Sequence, residues 1–317
     1  MVVQRPNLIL ITASHLHRDS LGYAGNPDAQ TPNLDVLAAH GVSFSEATAG
    51  DIVGVQKALA GCLEGVGYRY GRLGRLAGEE QEDGYGTWLT AQGKEARVEA
   101  WARNSATAST LFTQSCGAMR SNLPAALSHN FWVGTEAVRF LGNMQEPFFL
   151  SVNFCKPAWP YNPGAPWDMQ YKPGALTLPE GYDSAHAQVL NGVSVTEGRL
   201  RKALAFYYGL ISQIDQQVGR ILATLTARGI SNNLIVFTAD RGAYLGDGGL
   251  LHDPEGPLLA SVKRVPLLVA GAGCTRKAAV DTLAVHHADL LPTLLGVIGV
   301  KVPKGTGGKK FTTALQG

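Results

Sequence analysis

Arg5-Pro-Asn-Leu-Ile-Leu-Ile-Thr12 carries four consecutive aliphatic residues, Leu8 to Ile11, with no polar residue between them. A strand with one wet face alternates apolar and polar residues, so an unbroken apolar run predicts a strand covered on both faces. Residues 148–154, 233–238 and 265–270 are likewise mostly apolar and read as further buried strands. Between them, Leu204, Tyr207, Ile211, Ile214, Val218, Ile221 and Leu225 fall at three- and four-residue steps. They predict a helix over 200–228 that stops at Gly229. Thr31-Pro32 reads as a helix start and Gly41 as its stop. Asp289 reads as the cap of a last helix through Leu295, with Pro292 tolerated in its first turn. Apolar strands alternating with helices predict an α/β fold, a mainly parallel sheet flanked by helices on both faces. In such sheets chemistry gathers at the carboxyl ends of the strands, here just after Thr12, Phe154 and Thr238.

The chain has 317 residues, 45% of them hydrophobic and 16% charged, which suits one well-buried α/β domain over 1–317. Residues 62–146 are Gly-rich and irregular, and no periodicity places their elements. Residues 156–196 read as a long ordered loop. A formal charge of +2 gives no electrostatic reason for nucleic-acid binding. Cys62, Cys116, Cys155 and Cys274 have no metal-ligand spacing and read as free thiols. No apolar stretch is long enough to cross a membrane and no leader pattern opens the chain, so a cytoplasmic location is the default expectation.

Several stretches together resemble the sulfatase family of the alkaline phosphatase superfamily: residues 5–12, Gln30-Thr-Pro-Asn-Leu-Asp35, Gly84-Tyr85-Gly86-Thr87 leading to Gly93-Lys94, Asn153-Phe-Cys-Lys-Pro157, Leu234-Ile-Val-Phe-Thr-Ala-Asp240, Arg264-Val-Pro-Leu-Leu-Val269 and Ala288-Asp-Leu-Leu-Pro-Thr-Leu-Leu295. The last residues resemble the point where family members enter a smaller C-terminal subdomain. On that reading the subdomain is missing, and the uncovered sheet would favour oligomerisation.

The resemblance also implies which chemical groups belong at the site. A divalent cation, usually calcium, needs several oxygen ligands, mostly carboxylates. The acidic position after the first strand is Ser14, with His15 beside it, and the later acidic pair is Asp240 with Arg241. Only Asp240 keeps the ligand type, and a cationic Arg241 would repel a metal and could pair with Asp240 instead. The family's Cys-x-Pro-x-Arg nucleophile motif falls on Asp51, Val53 and Val55. Thr48 lies close by as a hydroxyl, but without a metal or base a threonine is a poor nucleophile. The histidines of the family's Gly-Lys-Trp-His and Lys-Pro-His motifs fall on Ala96 and Ala158, its Asp-His-Gly reads Asp247-Gly248-Gly249, and a downstream lysine aligns with Glu255. Lys94 and Lys156 remain of the anion-binding set.

His15 and His17 are read as loop histidines rather than a zinc pair, since zinc needs a third ligand. Trp159, Tyr161, Trp167 and Tyr171 read equally as cleft lining and as loop packing. The expectation is a catalytically inactive relative that binds an anionic small molecule through Lys94, Lys156 and Arg241, or a protein partner, or a second copy of itself, with no cofactor and no membrane. The alternative is a divergent hydrolase of sulfate, phosphate or phosphonate esters. It would use Asp51 or Thr48 as nucleophile and calcium or another divalent cation held by Asp240, Ser14 and His15.

Overall fold

The computed structural model describes residues 5–80, 82–93, 115–121, 123–190, 193–251 and 259–316. Its main sheet has seven strands in the order β3-β4-β1-β7-β8-β2-β9. These are β1 (Asn7–Ser14), β2 (Gly41–Thr48), β3 (Arg69–Gly74), β4 (Phe148–Pro157), β7 (Asn233–Ala239), β8 (Leu267–Gly271) and β9 (Ala279–His286). β5 (Val189–Leu190) and β6 (Val193–Ser194) form a separate small hairpin. Neighbours are parallel except around β8, which runs against both β7 and β2. The sheet is therefore mostly parallel and mixed, with helices against it.

The central strands form for the reason their sequence suggests. Every residue of β1 and of β7 is buried. Each fully buried Leu or Ile there contributes about 1.5–3 kcal/mol of hydrophobic stabilisation. The polar residue that opens β1 stitches the amino ends together. Asn7 donates to Glu146 Oε2 (2.7 Å) and Asn233 Oδ1 (3.1 Å), and accepts from the Phe148 amide (3.0 Å). One side chain thereby fixes the register of β4, β1 and β7.

The helices are α1 (Pro32–Ala39), α2 (Ile52–Glu64), α3 (Tyr85–Ala91), α4 (His129–Asn143), α5 (Glu197–Ala227) and α6 (His287–Ile298), besides shorter turns. α1 and α4 pack on α5, while α2 packs on α6. Thr31 starts α1 but does not cap it with its hydroxyl. That work falls to Asp215, buried in α5. Its carboxylate accepts from the Leu34 amide (2.8 Å), the Asn33 amide (3.2 Å) and Asn33 Nδ2 (2.7 Å). A cap supplied from another helix fixes α1 against α5 as well as ending it.

Other expectations shift in detail. The last helix begins before Asp289. His286 is its cap, and Asp289 closes a capping box by accepting from the His286 amide (2.8 Å). Pro292 consequently lies beyond the first turn. Gly41 does not follow α1 as a bare stop, because it opens β2 after His40. A Cβ at Gly41 would come 2.2 Å from the Val269 carbonyl oxygen, so the β2–β8 approach requires glycine. The described part of residues 156–196 runs mostly as loop, with two 3-10 turns and the β5–β6 hairpin.

Candidate active site

The carboxyl ends of β1, β4 and β7 lie side by side, with Thr12 opposite Asn153 on one flank and Thr238 on the other. Beyond them the chain turns abruptly. His15 takes a left-handed backbone conformation (φ 56°), uncommon for a residue with a Cβ. Its amide points at β7 and donates to Asp240 Oδ1 (2.9 Å). The Arg241 amide donates to the same oxygen (2.6 Å), and Ser14 also hydrogen-bonds the Asp240 carboxyl. Ser14 Oγ in addition accepts from the Ala77 amide (2.8 Å).

Sequence reasoning therefore places Ser14, His15, Asp240 and Arg241 together, and the fold brings all four into contact. The Arg241 side chain bends onto His15, with Nε donating to His15 Nε2 (2.9 Å). That bond requires a neutral His15 whose Nε2 lone pair is already engaged. Burial pushes the Asp240 carboxyl upward, and its hydrogen bonds with the Arg241 charge pull it back, leaving it at about 6.

This donor set does not suit a hard divalent cation. Calcium takes six to eight oxygens, with several carboxylates among them. Asp240 is the one carboxylate among these four residues, its Oδ1 already accepts two amides, and a guanidinium stands beside it. Among the described residues no group of three or more His, Cys, Asp or Glu side chains could hold a metal.

The remaining candidates are spread around this core. Asp51 caps α2, its Oδ1 accepting from the Gly54 amide (2.8 Å), so one oxygen of that exposed carboxylate is committed to the helix. Thr48 closes β2 and donates to the Val285 carbonyl (3.3 Å). Lys156 Nζ donates to the carbonyls of Ala158 (3.3 Å) and Pro160 (2.6 Å), turning the ammonium onto its own loop. Burial lowers it to about 8, against the raising effect of Cys155. Lys94, Ala96 and Glu255 lie outside the described residues.

Four further groups, whose members sequence reading gave at most a loop or packing role, also lie here. Tyr207 of α5 is wholly buried; its hydroxyl accepts from the His17 amide (2.8 Å) and donates to the His15 carbonyl (2.8 Å). It holds the turn that places His15, and its only sequence signal was a slot in an apolar helix stripe. Gln56 donates to Thr12 Oγ1 (3.1 Å) and Asn153 Oδ1 (2.8 Å), filling the space under the start of α2 with a neutral amide. His287 accepts from the Gly50 amide at Nδ1 (3.0 Å). Thr238 Oγ1 gives its own proton to the Pro266 carbonyl, so Nε2 of His287 is the donor in the 3.1 Å contact with Thr238. Burial keeps that ring neutral, with its pKa down to about 4.

The fourth group opens onto a cleft of about 610 Å³ whose walls do not include Asp240. His17, Asp19, Asp247, Tyr208 and Arg264 are among its walls. His17 Nε2 lies 3.8 Å from Asp247 Oδ2, and Arg264 lies 3.6 Å from Asp19 Oδ2. Burial raises Asp247, but His17 beside it, a Ser261 hydrogen bond and the Arg264 charge carry its pKa below the usual carboxylate range.

The aromatic residues 159, 161 and 171 serve packing. Tyr161 and Tyr171 are buried, and Tyr171 OH meets Ser212 Oγ (2.7 Å). Trp159 stacks edge-on to Tyr161 at 5.6 Å. No helix among the described residues is long and apolar enough to cross a membrane.

Comparison with known proteins bears on the fold and the family. The chain is similar to an arylsulfatase of Clostridium perfringens, 24% identical over 98% of this chain and 79% of that one. It is 28% identical to a multifunctional alkaline phosphatase superfamily protein of Trinickia caryophylli, over 60% of this chain and 42% of the relative's length. Among solved structures, the phosphonate monoester hydrolase of Agrobacterium radiobacter superposes with a TM-score of 0.78 at 20% identity, covering 98% of this chain and 77% of that one. A phosphonate monoester hydrolase of Silicibacter pomeroyi gives 0.76 at 18%, with 98% of this chain covered and 77% of that one. A profile of the Sulfatase family matches residues 80–300, and the chain belongs to the sulfatase family.

Proposed function

We propose that this protein is a sulfatase relative that binds an anionic ligand or a protein partner without hydrolysing sulfate esters. The observation that carries the reading is the Arg241 guanidinium on His15 beside Asp240, with a single carboxylate where a cation would need several. A second cationic group, Lys156, lies at the carboxyl end of β4. In this reading Arg241 supplies the fixed positive charge that a metal supplies elsewhere, and an anion would be held without an activated nucleophile to attack it. Asp51 and Thr48 each spend a hydrogen bond on local structure, which supports the same reading.

Two measurements test it together. Elemental mass spectrometry of protein exchanged through calcium-containing and then metal-free buffer is expected to find no stoichiometric divalent ion. A screen of aryl sulfate, phosphate and phosphonate esters is expected to show no turnover. Tightly held metal, or ester cleavage that disappears in Asp240→Ala, establishes the divergent hydrolase instead. Sulfate or phosphate binding measured by calorimetry, and its loss in Arg241→Ala, is the positive arm.

A further inference from the structure

A second reactive arrangement lies at the same end of the sheet, on residues the ester-hydrolase comparison does not use. Cys155 is near the end of β4, two residues before Pro157, which pairs with Ser14 of β1. Its Sγ lies 3.3 Å from Nδ1 of His129, the first residue of α4. Nε2 of the same ring lies 2.6 Å from Asp83 Oδ2. Asp83 is itself fixed, because its other oxygen accepts from the Tyr85 amide (3.0 Å). The His129 ring is held edge-on by Tyr85 at 5.1 Å and flanked by Trp132 at 5.7 Å. His129 and Asp83 side chains are 10% and 7% exposed, while Cys155 is half-buried.

A thiol on one ring nitrogen and a carboxylate on the other is the arrangement that activates a cysteine nucleophile, recognised by geometry and not by chain order. We propose that Cys155, His129 and Asp83 form a thiol nucleophile centre for acyl transfer from activated esters or thioesters. His129 takes the Cys155 proton, and Asp83 holds the ring so that Nδ1 faces the sulfur. The thiolate attacks the carbonyl carbon and forms an S–C bond. The bond from that carbon to the leaving oxygen or sulfur breaks, and the leaving group departs with its electron pair and takes the proton from His129 Nδ1. Cys155 ends as a thioester, with no change of oxidation state.

The surroundings favour the charged pair. Burial raises the Cys155 thiol, but the charge and hydrogen bond of His129, with Lys156 and Arg75 nearby, bring it below its ordinary value. Burial lowers His129, and Cys155 and Asp83 outweigh it to bring the ring to about 9. Tyr85 is the remaining titratable neighbour, and burial keeps its phenol protonated.

The test uses the full chain and two probes, with half-buried Cys62 as internal comparator. The rate of iodoacetamide alkylation at each cysteine, read by peptide mass spectrometry across pH, is expected to level off for Cys155 at a lower pH than for Cys62, against about 8.5 for an ordinary thiol. p-Nitrophenyl acetate at neutral pH is expected to acetylate Cys155 about tenfold faster than Cys62, with stoichiometric nitrophenolate release. His129→Gln should remove that advantage and return the Cys155 profile to that of an ordinary thiol. Asp83→Asn, at a positioning residue, should move the profile upward by less. Unchanged Cys62 kinetics and circular dichroism show that these variants fold. A Cys155 profile like that of Cys62 in the wild-type protein, no acetyl adduct, or reactivity indifferent to His129→Gln overturns the proposal. Because neither probe is a sulfate or phosphate ester, the outcome is independent of whether Asp240 serves a hydrolase.

Discussion

Asp240→Asn converts the charge state of the site into a stability measurement. The carboxyl stands at about 6 in the folded protein against an ordinary 3.8. At about 1.4 kcal/mol per pH unit, that displacement amounts to about 3 kcal/mol. The sign follows from proton counting. Between the two values the folded state binds more proton than the unfolded one, so the contribution is fully present below pH 3.8 and is lost as pH rises through about 6. Asparagine does not titrate, so wild-type stability minus variant stability should fall by about 3 kcal/mol from about pH 3 to about pH 7. His287 runs the other way. Its ring is lowered to about 4 from 6.5, so its contribution is present above 6.5 and lost as pH falls through 4. It is common to both proteins and cancels in the difference. The assay is urea unfolding of the two proteins at half-unit pH steps.

A flat difference would refute the account of burial at Asp240. A difference that rises with pH would do more, because it would mean a carboxylate held below its ordinary value. That is the behaviour of a carboxylate facing a bound cation. Calcium would then stabilise the wild-type protein and not the variant, by the logarithm of its concentration over its dissociation constant. The sign of one slope thus separates an arginine-compensated site from a metal site without assuming any substrate.

Asp215→Ala should cost about 3 kcal/mol in urea unfolding, because it strips the Asn33 and Leu34 amides of their acceptor at the start of α1. Asp215→Asn, which keeps one acceptor, should cost less. Tyr207→Phe should cost about 1–2 kcal/mol and raise hydrogen exchange at the His17 amide, whose acceptor it removes; unchanged protection there would show that the hydroxyl does not hold the turn. Gly41→Ala should destabilise by about 2–3 kcal/mol through its clash with the backbone oxygen of Val269. A neutral effect of Gly41→Ala would mean that β2 and β8 separate more easily than their register suggests.

What was legible in the sequence follows from burial. β1 and β7 are covered along their whole length and β4 along most of it, so their residues answer mainly to one requirement and read as apolar-rich runs, with Ser151 and Asn153 the interruptions in β4. α5 announces itself because thirty-one residues repeat a single helical stripe. β3 and β9 are edge strands, and edges carry charge and exposure: β3 reads Arg-Tyr-Gly-Arg-Leu-Gly, and only Val285 of β9 is buried. β2 lies inside the sheet, but its Ser43, Ser45 and Glu46 interrupt the apolar signal and only His40 separates it from α1. The site divides by the same logic. Ser14, His15, Asp240 and Arg241 were traceable because each sits two or three residues past Thr12 or Thr238, where the legible runs end, and parallel neighbours bring such ends together. Cys155 was equally well placed, yet its partners were not. His129 opens a helix and Asp83 precedes one, both within the stretch whose pattern placed no elements. Their meeting depends on where α4 and the turn before α3 pack, and a single sequence carries no periodicity for that. Reactive geometry assembled from helix starts is therefore the kind most easily missed, and the kind for which three short distances add most to the reading.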